Sequence, residues 1–97
     1  MMVLITYDVD TKTKSGMKRL RHVAKQCVNY GQRVQNSVFE CSLTPAQLIT
    51  LKNKLIDVID EEKDSIRFYN LGKNWQNRVE TIGKDESYDP DSDLLII

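Results

Sequence analysis

Residues 2–9, Met-Val-Leu-Ile-Thr-Tyr-Asp-Val, form a nearly continuous apolar, β-branched run. Side chains alternate between the two faces of a strand. Val3, Ile5, Tyr7 and Val9 therefore share one face, while Leu4, Thr6, Asp8 and Asp10 share the other. A strand that is apolar on both faces belongs in the middle of a sheet. The remaining chain must supply strands to flank it and helices to cover it. The same run also leaves two carboxylates on one face at its end.

Downstream, the two periodicities alternate. Asp10 to Ser15 make a polar turn in which Asp10, Thr11 and Ser15 are all competent N-caps. A helix is expected over 15–29, where Met17, Leu20, Val23, Ala24, Cys27 and Val28 form one apolar stripe. Lys18, Arg19, Arg21, His22 and Lys25 fall outside that stripe. Gly31 is suited to a left-handed cap after Asn29-Tyr30. Residues 33–43 read as strand, interrupted at Gln35-Asn36-Ser37 by a tight turn between two strands or by a bulge in one. Thr44-Pro45 is a cap followed by a first-turn proline, opening a helix with the stripe Leu48, Leu51, Leu55, Ile56 and Ile59. Asp60-Glu61-Glu62 oppose the dipole at its end, which favours a loop there.

Residues 65–71 are a further strand, with Ile66, Phe68 and Asn70 on one face and Arg67, Tyr69 and Leu71 on the other. A loop around Trp75 follows, then a short strand over 78–82 and an acidic, Pro-containing linker over 85–93. The aliphatic end Leu94-Leu95-Ile96-Ile97 is suited to join a sheet edge, in this subunit or a partner. This order predicts an α+β fold, with two helices on one face of a largely antiparallel sheet.

Ninety-seven residues leave room for one core, of a size often helped by an oligomeric partner. No apolar run approaches the roughly eighteen residues that span a bilayer, and no basic leader precedes a short apolar one. A cytoplasmic protein is expected. Cys27 and Cys41 lack zinc-site spacing and read as small buried hydrophobes. His22 reads as a solvated residue on a basic helix, and neither Ser nor Cys has a recognisable His partner.

The formal net charge of zero conceals an asymmetry. Between Thr11 and Phe39 lie Lys12, Lys14, Lys18, Arg19, Arg21, Lys25 and Arg33 without a single acid. Such segregation is a cue for a polyanion-binding face, contacting backbone rather than base sequence. Asp8 with Asp10 supplies enough carboxylate for Mg²⁺, which keeps several waters and takes phosphate oxygens into its shell. A cation shared by two copies of Asp8 across a dimer axis would complete the set. The alternative has Asp10 capping the turn and Asp8 paired with a neighbouring Arg. An EF-hand start at Asp89-Pro90-Asp91 fails because Leu94 stands where Gly is needed. Phosphate-binding Gly loops and an aromatic RNP signature are also missing.

The strand ending Tyr7-Asp8-Val9, the basic helix with Arg19 and Arg21, and the run Arg33-Val34-Gln35-Asn36-Ser37-Val38-Phe39-Glu40 resemble the family of CRISPR-associated protein 2. The resemblance spans essentially the whole chain. It implies a ferredoxin-like βαββαβ sandwich with extra C-terminal strand, a nuclease domain over 1–84, and a linker and strand over 85–97 for partner-subunit or integrase contact. It also implies a homodimer that cleaves RNA or DNA with Mg²⁺ or Mn²⁺ in spacer acquisition, and docks on the integrase subunit, CRISPR-associated protein 1. By position, Asp8 becomes the metal ligand and catalytic residue. Arg19, Arg21 and Arg33, with Lys14 and Lys18, become phosphate contacts, and Asp10, Ser37 and Phe39 lie near the site. Two other readings stay open: a non-catalytic DNA-bridging scaffold for the integrase, and a toxin-like ribonuclease.

Overall fold

The computed structural model describes residues 1–74 and residue 80. The order is β1 (Met2–Asp8), α1 (Lys14–Val28), β2 (Gly31–Gln35), β3 (Val38–Ser42), α2 (Pro45–Val58) and β4 (Ser65–Asn70). The sheet order is β2-β3-β1-β4, and every neighbouring pair is antiparallel. This is the expected α+β, ferredoxin-like sandwich. The short strand expected over 78–82, the 85–93 linker and the 94–97 tail lie outside the described residues.

β1 is central, as its double-sided apolarity requires. Val3, Ile5, Tyr7 and Val9 are buried with Val23 and Cys27 of α1, Phe39 and Cys41 of β3, Leu43, and Leu51 and Leu55 of α2. Fully burying each large aliphatic or aromatic side chain among these contributes about 1.5–3 kcal/mol. Register sorts the other strands by face. Phe39 and Phe68 lie opposite Ile5 and complete the core side. Val38 and Arg67 lie opposite Thr6, and Glu40 and Tyr69 opposite Leu4, on the face that neither helix covers.

Helix α2 starts as its sequence dictates. Thr44 Oγ1 accepts from the Gln47 amide at 3.2 Å and Gln47 Oε1 from the Thr44 amide at 2.9 Å, a reciprocal capping box with Pro45 behind it. Helix α1 differs from expectation. Its cap is Thr13, whose Oγ1 accepts from the Gly16 amide at 3.0 Å, rather than Asp10, Thr11 or Ser15. Gly16 explains the choice: a Cβ there would collide with the Asp10 carbonyl, so the helix can begin only where a bare glycine slides past the turn.

Gly31 also differs. It opens β2 instead of capping α1 in the left-handed region, and a Cβ there would strike the Glu40 carbonyl on β3. The break at 35–37 resolves into both alternatives. A tight turn joins β2 to β3, and the register also shifts between Arg33 and Gln35. Met17, Val28 and Ile56, expected in the apolar stripes, are exposed. Each sits beyond the arc that the sheet can cover.

Candidate active site at the end of β1

Asp8 is the last residue of β1, exposed, and paired in register with Ser65 of β4. It therefore lies on the uncovered face of the sheet, beyond Thr6. Its carboxylate makes no hydrogen bond or ion pair with the described residues. That sets aside the reading of Asp8 as one half of a salt bridge within this part of the chain. On either side its backbone is held. The Tyr7 amide donates to the Ser37 carbonyl at 3.1 Å, so the β2–β3 turn abuts the strand end.

Asp10 is spent differently. Its Oδ1 accepts from the Lys12 amide at 3.0 Å, an Asx turn that closes the loop into α1. Its own amide donates to Asp64 Oδ1 at 3.0 Å. Asp10 thus behaves as a turn cap. Among the described residues no group of three His, Cys, Asp or Glu gathers to hold a metal. Among the described residues the Asp8 carboxylate stands unengaged at the end of β1, which fits a hard cation that keeps its waters and accepts phosphate. It fits better still if a second copy adds its own Asp8.

The basic residues divide into two sets. Lys14, Lys18 and Arg21 are exposed along α1 and have no hydrogen-bond or ion-pair partner among the described residues. Arg19 is committed: its Nε donates to Asp64 Oδ2 at 2.8 Å and its Nη1 to Ser15 Oγ at 3.0 Å. Arg33 lies opposite Phe39 on the core side, with its Cζ 5.3 Å from the Phe39 ring centroid. Its Nε is buried and has no partner among the described residues. Phe39 is fully buried and stacked 6.1 Å from Tyr7, so neither ring is open to a base. Burial raises the Tyr7 hydroxyl above its usual range, with Arg33 beside it pulling the other way.

The sheet therefore separates the two groups. Asp8 occupies the uncovered face, while Tyr7, Arg33 and Phe39 occupy the helix-covered one. Two residues at this end were not singled out from the sequence. Arg67 is diagonal to Asp8 on the uncovered face and donates to the Tyr69 hydroxyl at 3.4 Å. Asp64 is buried beneath the turn. The alternation of Arg67-Phe68-Tyr69 already placed Arg67 on the Asp8 face once the pairing of the two strands was known.

The sequence matches the family described as CRISPR associated protein Cas2 over residues 1–79. This chain belongs to the Cas2 family. It is 58% identical over 95 residues to the CRISPR-associated endonuclease Cas2 of Halalkalibacterium halodurans, covering 98% of this chain and 99% of that one. It is 54% identical over 96 residues to the CRISPR-associated endoribonuclease Cas2 of Chlorobaculum tepidum, covering 99% and 100%. Among solved structures it is similar to Streptococcus pyogenes Cas2 at pH 6.5, with 71% identity, a TM-score of 0.79, and coverage of 86% of this chain and 100% of that one. Among the described residues, no helix is long and apolar enough to cross a membrane.

Proposed function

We propose that this chain is a divalent-metal-dependent endonuclease subunit, acting in antiviral defence as a homodimer within a CRISPR spacer-acquisition complex. The observation that supports it most directly is the Asp8 carboxylate, exposed and unengaged among the described residues at the end of a buried strand. Full-length relatives named endonuclease and endoribonuclease supply the reaction class. Mg²⁺ is the expected ion, with Mn²⁺ as its substitute. When bound, such a cation polarises a phosphate oxygen and lowers the pKa of the attacking water.

The chain's own residues then have separate tasks. Asp8 would hold the cation, which would supply charge stabilisation for the scissile phosphate. Lys14, Lys18 and Arg21, unpaired among the described residues, meet flanking phosphates, and their charge is spent on positioning rather than on sequence. Arg33, held over Phe39 and beside Tyr7 on the helix-covered side of the sheet, supports the strand from the face opposite Asp8. The uncovered sheet face, with Leu4, Thr6, Val38, Arg67 and Tyr69, receives a second copy and brings two Asp8 side chains together. Residues 85–97 contact the partner subunit or the integrase, CRISPR-associated protein 1.

The test is direct. The purified protein is incubated with labelled RNA, single-stranded DNA and duplex DNA, in Mg²⁺, Mn²⁺ or EDTA. Cleavage that needs metal and disappears in Asp8→Asn supports the reading, and undiminished cleavage in that variant sinks it. A second reading is favoured by one observation: among the described residues no group of three His, Cys, Asp or Glu gathers that could hold a metal ion. The protein would then be a DNA-bridging scaffold for the integrase. Spacer acquisition that survives Asp8→Asn but fails on truncation before Leu94 selects that alternative.

A further inference from the structure

Asp64 is the one charged residue that the described fold buries, and the cleavage scheme above gives it no task. Its side chain has no exposed surface, yet it receives donors from three segments. Oδ2 accepts from Arg19 Nε on α1 at 2.8 Å and from the Asp60 amide in the α2–β4 loop at 2.9 Å. Oδ1 accepts from the Asp10 amide in the β1–α1 loop at 3.0 Å, with Arg19 Nη2 at 3.4 Å. A buried carboxylate without partners would be costly, whereas one satisfied by a guanidinium and two N–H groups is a stable knot. Burial alone would raise its pKa. The Arg19 bond and the Asp60 and Asp10 amides bring it below the usual carboxylate value.

The effect on Asp8 follows from the chain path. Ser65, next to Asp64, is the register partner of Asp8. Asp10, two residues beyond Asp8, hangs from Asp64 by its amide. On the β4 side both restraints on the Asp8 backbone therefore pass through the Asp64-Ser65 dipeptide. The Asp8 carboxylate has no hydrogen bond of its own to a described residue. Among the described residues, its position is set through its backbone.

We infer that Asp64 is a positioning residue for Asp8, fixing the strand end from below, and that Arg19 serves it as counter-charge instead of meeting phosphate. This rests on the reading of Asp8 as the cation ligand. Asp64→Asn keeps the shape but replaces one acceptor with a donor that faces Arg19 or a backbone N–H. In metal sites, loss of an outer partner typically weakens metal affinity or activity by about 10- to 100-fold.

The experiment uses the full chain with ¹³C-labelled Asp carboxyls, titrated with Mn²⁺ while the Asp8 resonance broadens. Wild type and Asp64→Asn are compared at a temperature where both are folded by circular dichroism. The expected result is Asp8 broadening shifted to about tenfold higher Mn²⁺, with faster exchange of the Asp10 amide and unchanged exchange of the Val23 and Cys27 amides. In cleavage assays kcat falls while KM for the oligonucleotide stays within about twofold. Wild-type broadening and kcat in folded Asp64→Asn overturn the inference, as does a raised KM with kcat unchanged. Should that variant not fold, Arg19→Gln decides. It leaves both backbone bonds in place and should shift the Asp8 titration by a smaller factor, while no shift overturns the claim. If wild type cleaves nothing yet Asp8 still takes Mn²⁺, the nuclease reading alone falls. If wild-type Asp8 takes no Mn²⁺, the ligand reading falls, and the Asp8 carboxyl shift with Asp10 amide exchange decides the positioning.

Discussion

The guanidinium of Arg33 lies 5.3 Å from the ring centroid of Phe39, on the side of the sheet away from Asp8. The ring is buried among Tyr7 and the core, and the Arg33 Nε is buried above it without a partner among the described residues. The pair therefore costs a desolvated donor and gains a cation–π contact of about 0.5–2 kcal/mol. Arg33→Met should change stability by less than about 1 kcal/mol, because the stem and ring contact persist while the orphaned donor disappears. Phe39→Ala should cost about 3–5 kcal/mol through the cavity it leaves. Urea unfolding of both variants checks the contrast, and comparable losses in the two would contradict it.

Asp8→Asn should leave stability within about 0.5 kcal/mol of wild type, since the carboxylate is exposed and touches no described partner. Metal-dependent cleavage should vanish in the same variant. Parallel thermal melts and cleavage assays measure the two independently. A large loss of stability would mean that Asp8 is structural.

Salt dependence separates the two sets of cations. Lys14→Gln, Lys18→Gln and Arg21→Gln should each reduce the slope of log K against log salt on duplex DNA by about 0.9. Arg19→Gln should leave the slope near wild type and lower the melting temperature instead, because its guanidinium is bound to Asp64. Fluorescence anisotropy at several salt concentrations reads the slopes. A full unit of slope lost in Arg19→Gln would show that Arg19 meets phosphate after all.

Acid should loosen the β1–α1 turn through Asp64. Its carboxyl lies below the usual value in the folded chain, where burial opposes but Arg19 and two amides prevail. The unfolded chain therefore takes up the proton first as pH falls. The stabilisation is whole above about pH 4 and is lost as pH drops through the folded value. Melts from pH 7 to pH 3 should show wild type converging on Asp64→Asn at the acid end. A gap that stays constant over that range would refute the assignment.

Alkali should act through the two thiols. Burial raises Cys27 to about 12 and Cys41 to about 11, whereas unfolded thiols ionise near about 8.5. The folded state thus keeps protons that the unfolded state gives up, and this stabilisation fades as pH rises from about 8.5 toward those higher values. At neutral pH both thiols should resist a disulfide reagent in the native protein and react fully in urea. Rapid native labelling of either would contradict their burial.

Local rules made parts of this fold legible. The alternation in β1 alone placed Val3, Ile5 and Tyr7 on one face and Asp8 on the other. Thr44 and Pro45 announced α2 because a cap and a first-turn proline act within one turn. The start of α1 was not legible, because it depends on Gly16 passing the Asp10 carbonyl, a contact between segments. Gly31 looked like a helix cap because sequence does not reveal the Glu40 carbonyl across the hairpin. Asp64 carried no sequence signal of its own, because the groups that make its burial tolerable, Arg19 and the amides of Asp10 and Asp60, are brought together only by the fold. Arg19, expected at phosphate, is instead paired with Asp64. Ion pairs between distant segments leave no periodicity to read.

The central place of β1 has a consequence for biosynthesis. Among the described strands β1 is translated first and its neighbour β4 last, with Asp8 awaiting Ser65 and Asp10 awaiting Asp64. Contacts so distant in sequence close late. A nascent chain that has not yet delivered residue 65 holds Asp8 on an unpaired edge. The site is therefore assembled only once residues 64 and 65 have been delivered, and fragments that end before them are left without it.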